Sequence, residues 1–169
     1  MITWMFVMTI LLQVPDSSLG KHELQLYISP DLEGVTGDTL VADVGYGFFM
    51  KDRYSLGGLF QLKTVEDVAP GEKDYRFREV DFAFEYVFGS NKFLPFVRAT
   101  AGMAWLDYLD HNESSLTLGA GAGLKYAVTE HAALDCSATV RNAQDEVFVN
   151  DFKLEKTDLG LKFGVRIRF

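Results

Sequence analysis

Residues of the three types that make up a serine-hydrolase site fall within five positions of one another: His111, Glu113, Ser114 and Ser115. A serine hydroxyl becomes a nucleophile only with a base in hydrogen-bond reach, and the base needs a third group to orient it. A Ser-His-Glu set would meet both needs and cleave an ester. No spacing here fixes either serine against the histidine, however, and the run Asp107 to Ser114 reads equally as a polar loop, which is the preferred reading. Carboxylates gather in Asp31, Glu33 and Asp38, in Asp107, Asp110 and Glu113, and in Asp145, Glu146, Asp151 and Glu155. Their oxygens suit Ca²⁺ or Mg²⁺, but solvated acidic loops are the simpler account, and neither a metal nor a cofactor is expected. The lone Cys136 excludes an internal disulfide and a cysteine metal cluster.

Another set of charges is spaced differently. Glu23, Asp43, Glu79, Asp81, Glu85, Asp135, Arg98, Lys125, Arg141, Lys162 and Arg166 all stand on the polar side of segments that alternate polar and apolar residues, as do Lys63 and Arg168. Period-two alternation is the mark of a strand with unlike faces. If the polar faces enclose an interior, these charges persist there only when paired, so an interior salt-bridge network is expected. A gated ion path is the alternative; an eight-stranded interior is barely wide enough for its own side chains, which favours the network.

The segments that would carry these charges recur along the chain. Leu24, Leu26 and Ile28 share a face, as do Leu40 to Phe48, Tyr54 to Leu62, Val80 to Phe88, Val97 to Trp105, Leu118 to Leu124, Leu134 to Val140 and Leu159 to Phe169, each taken at alternate positions. That gives eight candidate strands, one domain's worth for 169 residues. Brief turns at Lys51, Ser90 and Glu130 alternate with longer polar connections around Asp38, Gly71, Asn112 and Asn150, so an antiparallel up-and-down meander with two unlike ends follows. The residues Val147 to Phe152 regain apolar character and predict a projecting hairpin ribbon, a surface for strand addition by a partner.

A soluble sandwich or lipocalin would alternate too, with its apolar face as the core. The polar faces here are crowded with small residues: Gly45, Gly47, Gly57, Gly102, Gly119, Gly121, Gly123, Gly160 and Gly164. A solvent face has no need to be small, whereas the lumen of a narrow barrel does. The fold class expected is therefore all-β, an eight-stranded antiparallel up-and-down transmembrane β-barrel with lipid outside. Phe48, Tyr54, Phe88, Tyr126 and Phe169 keep the apolar parity beside the short turns, as an interfacial aromatic girdle would. His22 and His131 fall at the same end and read as interfacial residues, and Trp105 would begin the opposite girdle. The net charge of −8 offers no surplus of cations for nucleic acid.

The amino end differs. Ile2 to Leu12 is almost wholly apolar, Pro15 and Asp16 break the run, and Ser18-Leu19-Gly20 presents small residues before Lys21. Residues 1–20 are expected to be a secretory signal peptide, with 21–169 the barrel domain. No Lys or Arg precedes the apolar run, so either the start codon is placed too far downstream or the segment is not a signal but an amphipathic plug or core helix.

From Lys21 to Phe169 the chain resembles the small eight-stranded outer-membrane barrels of Gram-negative bacteria, the outer membrane protein A and X types. Leu94-Pro95-Phe96-Val97-Arg98-Ala99-Thr100-Ala101-Gly102 and Leu118-Gly119-Ala120-Gly121-Ala122-Gly123-Leu124-Lys125-Tyr126 carry the likeness. The ending with Lys162, Gly164, Ile167 and Phe169 is similar to the C-terminal signal read by the outer-membrane assembly machinery. The resemblance implies an outer-membrane location in the cell envelope, a periplasmic N-terminus, external long loops, and contact with outer-membrane lipids and lipopolysaccharide. Some barrels of this kind hydrolyse lipid A with a Ser-His-Glu set, so a lipid A hydrolase and a narrow small-solute channel stand as alternatives. The favoured role is non-enzymatic, structural or surface-interacting, with a possible protein partner at the external loops. Deleting Phe169 should impair assembly in cells more than it lowers the stability of the refolded barrel. Membrane fractionation beside in vitro unfolding checks this, and normal insertion of the truncated chain would contradict it.

Overall fold

The structure, a computed structural model, describes residues 22–28, 38–51, 53–66, 75–89, 92–108, 111–150 and 153–169. The amino-terminal segment expected to be a signal peptide lies outside them. The strands are β1 (His22–Ile28), β2 (Asp38–Lys51), β3 (Tyr54–Glu66), β4 (Tyr75–Val87), β5 (Phe93–Tyr108), β6 (His111–Ala127), β7 (Ala132–Ala143), β8 (Phe148–Asn150), β9 (Lys153–Glu155) and β10 (Thr157–Arg168). Eight of them close a barrel in the order β1-β10-β7-β6-β5-β4-β3-β2, every pair antiparallel, while β8 and β9 form a separate two-stranded sheet.

Closure depends on both chain ends. β1 pairs with β10 from Glu23 opposite Arg168 to Ile28 opposite Phe163, and the His22 and Phe169 backbones exchange hydrogen bonds of 3.0 and 2.9 Å. A sheet closed this way has no unpaired edge, which is what a lipid environment demands of strands. The alternation predicted from sequence sets the faces. In β4, Tyr75, Phe77, Glu79, Asp81, Ala83, Glu85 and Val87 are buried with half-buried or exposed residues between them. The outer face is uniformly apolar along its middle, with Leu159, Leu118, Leu116 and Phe82 between 59% and 75% exposed. No soluble monomer presents a continuous apolar belt of that kind to water.

Three connections differ from the sequence reading. The charged stretch 66–78, read as the longest loop, is strand at both ends, since β3 runs to Glu66 and β4 starts at Tyr75. Asp107 to Ser114 is not a loop: β5 and β6 pair as far as Tyr108 opposite His111, because alternating side chains continue to fit a sheet above the apolar belt. The residues around Asn150 form the expected hairpin, but it is not a projecting ribbon. Val147, Phe148 and Val149 are buried with Val65, Tyr75, Phe77, Ala104, Leu106 and Ala143, so the hairpin folds against the inward face at the long-connection end. An apolar triplet gains more by covering that mouth than by standing in solvent.

Narrowness shows in the glycines. Gly47 and Gly57 face one another across β2 and β3, and a Cβ on Gly57 would overlap the Tyr46 carbonyl oxygen and stand 2.9 Å from Gly47 Cα. Its neighbour Gly58 points outward, and there a Cβ would meet nothing nearer than the Asp81 carbonyl at 3.7 Å. Gly57→Ala should therefore destabilise the barrel by about 1–3 kcal/mol through overpacking. Gly58→Ala should stay within about 0.5 kcal/mol. Urea unfolding in micelles measures both, and equal effects would contradict the inward crowding.

Candidate functional site

The inward faces stack the ionisable residues in two layers. Nearer the chain ends lie Glu23 on β1, Glu85 on β4, Arg98 on β5, Lys125 on β6, Asp135 on β7 and Arg166 on β10, all buried. Arg166 is at the hub: Nη1 stands 2.9 Å from Glu23 Oε1 and 3.0 Å from Glu85 Oε2, and Asp135 Oδ2 accepts from Nε and pairs with Nη2. Arg98 Nη2 reaches Glu85 Oε2 at 2.8 Å, and Lys125 Nζ reaches Glu85 Oε1 at 2.5 Å and Glu23 Oε1 at 3.6 Å. Two carboxylates thus receive several cationic donors each, the arrangement in which burial of charge is tolerated.

Aromatic rings close this layer below. The Arg166 guanidinium lies 4.7 Å from the Phe96 ring, and Arg168 and Lys125 lie 4.2 and 5.5 Å from Phe49. Cations over ring faces are stabilised by the quadrupole, and more so without water.

The second layer holds Asp43, Glu79, Asp81, Arg141 and Lys162. Arg141 donates to Glu79, Gln61 and Asp158, with Nη2 2.5 Å from Asp158 Oδ2, while Lys162 Nζ pairs with Asp43 Oδ2 at 2.7 Å. Asp81 accepts from Thr117 Oγ1 at 3.3 Å. Phe148 of the folded-in hairpin lies 5.0 Å from the Arg141 guanidinium, so apolar mouth and upper charge layer meet directly. Between the layers a cavity of about 20 Å³ is bounded by Leu59, Asp81, Thr100, Arg141 and Lys162, and a second of about 10 Å³ lies beside Gln25 and Ser55. Each has room for about one water.

Sequence reasoning assigned most of the charged members by parity but passed over Asp158 and the neutral partners. Tyr27 OH receives from Arg98 Nη2 at 2.9 Å and donates to Gln25 Oε1 at 3.0 Å, and Gln25 Nε2 donates to Glu23 Oε1 at 3.0 Å. Gln25, Tyr27, Gln61 and Asp158 share the inward parity, which was the available signal. Among the described side chains, the serines and glutamate of the Ser-His-Glu cluster form no hydrogen-bonded set. Ser114 is exposed and of outward parity, Glu113 is of inward parity, and Ser115 is buried with its Oγ accepting from Asp145 N–H at 2.8 Å. The His111 side chain lies outside the described residues. No group of three or more His, Cys, Asp or Glu among the described residues has metal-binding geometry.

At the short-turn end Phe48, Tyr54, Phe88 and Tyr126 are exposed on the outer face. Phe169 stacks on His22 at 6.1 Å, and the ring contacts continue through Tyr86 to Phe88 at 4.7 Å and Phe93 to Tyr126 at 5.0 Å. Trp105 stands half-buried toward the other end, opposite Arg78.

A family model described as the outer membrane protein beta-barrel domain matches residues 18–168. The chain belongs to that family. This outer-membrane barrel resembles in fold the Neisserial surface protein A, with 16% identity over 88% of this chain and 95% of that one and a TM-score of 0.60. It is also similar to the N-terminal barrel domain of Pseudomonas aeruginosa OprF, at 19% identity over 89% and 98% of the two chains with a TM-score of 0.58, and to P. aeruginosa OprH, at 14% identity over 88% and 99% with a TM-score of 0.59. No curated protein sequence matches the chain. The protein is thus a transmembrane β-barrel of the bacterial outer membrane, and its apolar belt meets lipid.

Arg166→Met should lower stability by about 3–5 kcal/mol, since it leaves Glu23, Glu85 and Asp135 buried without their shared cation. Arg78→Met, at a pair on the outer surface, should cost no more than about 1 kcal/mol. Unfolding of both variants in the same micelles compares them, and a small effect at Arg166 would mean that the layer is hydrated.

Proposed function

We propose that this outer-membrane barrel is a non-enzymatic envelope protein whose interior is a plug, serving a structural and surface-interaction role. The observation that carries the reading is the filling of the lumen among the described residues: two layers of paired charges, aromatic rings below and an apolar hairpin above, with enclosed gaps of about 20 and 10 Å³. Neither gap accommodates a hydrated ion. Short turns and both chain ends face the periplasm in barrels of this type and the longer connections face outward, which makes the β8–β9 hairpin and its neighbours the surface offered to partners. Residues 1–20 are a cleaved signal peptide in this reading, and Lys162, Gly164, Ile167 and Phe169 are the address for the assembly machinery.

A lipid A hydrolase finds less support, because Ser114 and Glu113 point to opposite sides of β6 and the Ser115 hydroxyl is engaged. A channel would need the Arg141 and Arg166 clusters to separate. Purified protein reconstituted in planar bilayers should give conductance indistinguishable from bare lipid, and reproducible single-channel steps would overturn the plug.

A further inference from the structure

The stretch that holds His111, Glu113 and Ser114 carries a second motif. In Asp110-His111-Asn112-Glu113-Ser114 a hydroxyl stands two residues after an asparagine and a carboxylate two residues before it, with no proline between them. Asn-x-Ser is the acceptor signal for an N-linked glycan, and the bacterial enzymes that attach one also require an acidic residue two positions before the asparagine. Asn91, Asn142 and Asn150 are followed at the hydroxyl position by Phe93, Gln144 and Phe152, so they carry no such signal.

The place in the fold suits a bulky hydrophilic addition. Asn112 and Ser114 are two apart on β6 and share its outward face, and both side chains are exposed. The register sets Ser114 opposite Trp105 and Asn112 opposite Asp107. Asn112 lies four residues, or about 14 Å, beyond Leu116, the last apolar residue on the outer face of β6. Pairing with β7 begins only at Thr117 opposite Ala143, so among the described residues Asn112 to Ser115 have a strand partner on the β5 side alone. A glycan on Asn112 displaces neither packed side chains nor lipid, whereas the crowded inward face of the same strand could not house one.

We propose that Asn112 is the acceptor of an N-linked oligosaccharide, transferred by a periplasmic oligosaccharyltransferase from a polyprenyl diphosphate carrier and displayed at the cell surface by the β5–β6 hairpin. In the transfer Asn112 Nδ2 bonds to the anomeric carbon of the first sugar. The bond from that carbon to the diphosphate oxygen breaks, polyprenyl diphosphate leaves with the electron pair, and Nδ2 gives up one proton to solvent. The reaction precedes barrel assembly, while the chain is in the periplasm and free to bring the Ser114 hydroxyl to the Asn112 amide. The display rests on the outward orientation of the long connections in the proposed function and adds a covalent modification to that surface.

The full chain is produced in a Gram-negative host that carries such a transferase and its lipid-linked glycan, beside a soluble acceptor protein as positive control. Intact-mass spectrometry of the heat-modifiable, outer-membrane form then reads the modification. The barrel should gain the mass of one glycan, on the peptide that contains Asn112. Asn112→Gln and Ser114→Ala should abolish the gain and Ser114→Thr should keep it. Asp110→Ala should lower occupancy about tenfold or more, the worth of one charge-assisted contact to the transferase. An unmodified barrel beside a modified control, or a glycan that persists in Asn112→Gln, would overturn the proposal. A lectin should label intact cells that produce the unaltered chain and not those that produce Asn112→Gln. Label gained only after the outer membrane is permeabilised would contradict the outward orientation on which the display rests, while the gain in mass would still support the acceptor.

Discussion

A charge inside an eight-stranded barrel has nowhere to go, and it must be paired where it stands. Burying one ion alone costs several kcal/mol even after relaxation, so the positions of Glu23, Glu85, Asp135, Arg98, Lys125 and Arg166 are mutually dependent. They come from β1, β4, β5, β6, β7 and β10, so the lower layer exists only once the barrel has closed. The layer in turn ties distant strands together across the lumen, as in the Arg166–Glu85 contact between β10 and β4. Closure and pairing are one constraint seen from the backbone and from the side chains.

The membrane imposes the reverse condition on the outside. Lipid offers no hydrogen bonds, so the strands satisfy their backbone groups within the sheet, and the terminal pairing of His22 with Phe169 completes the ring. Outward side chains then need only be apolar along the belt and aromatic at its edge. This freedom explains why sequences with 14–19% identity reach the same architecture.

Much of the fold could be read from residues. Tyr54 to Leu62 and Leu159 to Phe169 announce strand, face and end without further help, because period two allows only one assignment of sides. The polar loop at Asp107 to Ser114 was misread because polarity above the membrane says nothing about pairing, and there β5 and β6 simply continue as a hairpin. The ribbon around Asn150 failed for a different reason. Val147, Phe148 and Val149 signal a strand locally, but their destination depends on the apolar mouth made by Val65, Phe77 and Leu106, which converge only in three dimensions. For the interior charges, parity named the candidates, whereas the choice of partner, such as Arg141 with Asp158 or Lys162 with Asp43, follows from the stagger of the strands and is invisible in spacing.

Arg166 and its carboxylates occupy a dry, paired interior. Exchange of arginine Nε protons with water, followed by nitrogen-resolved NMR in lipid nanodiscs, examines it most directly. Arg166 Nε–H, which donates to Asp135, should exchange more slowly than Arg76 Nε–H on the outer wall by several orders of magnitude. Equal, rapid exchange at the two sites would show a hydrated lumen and contradict the account.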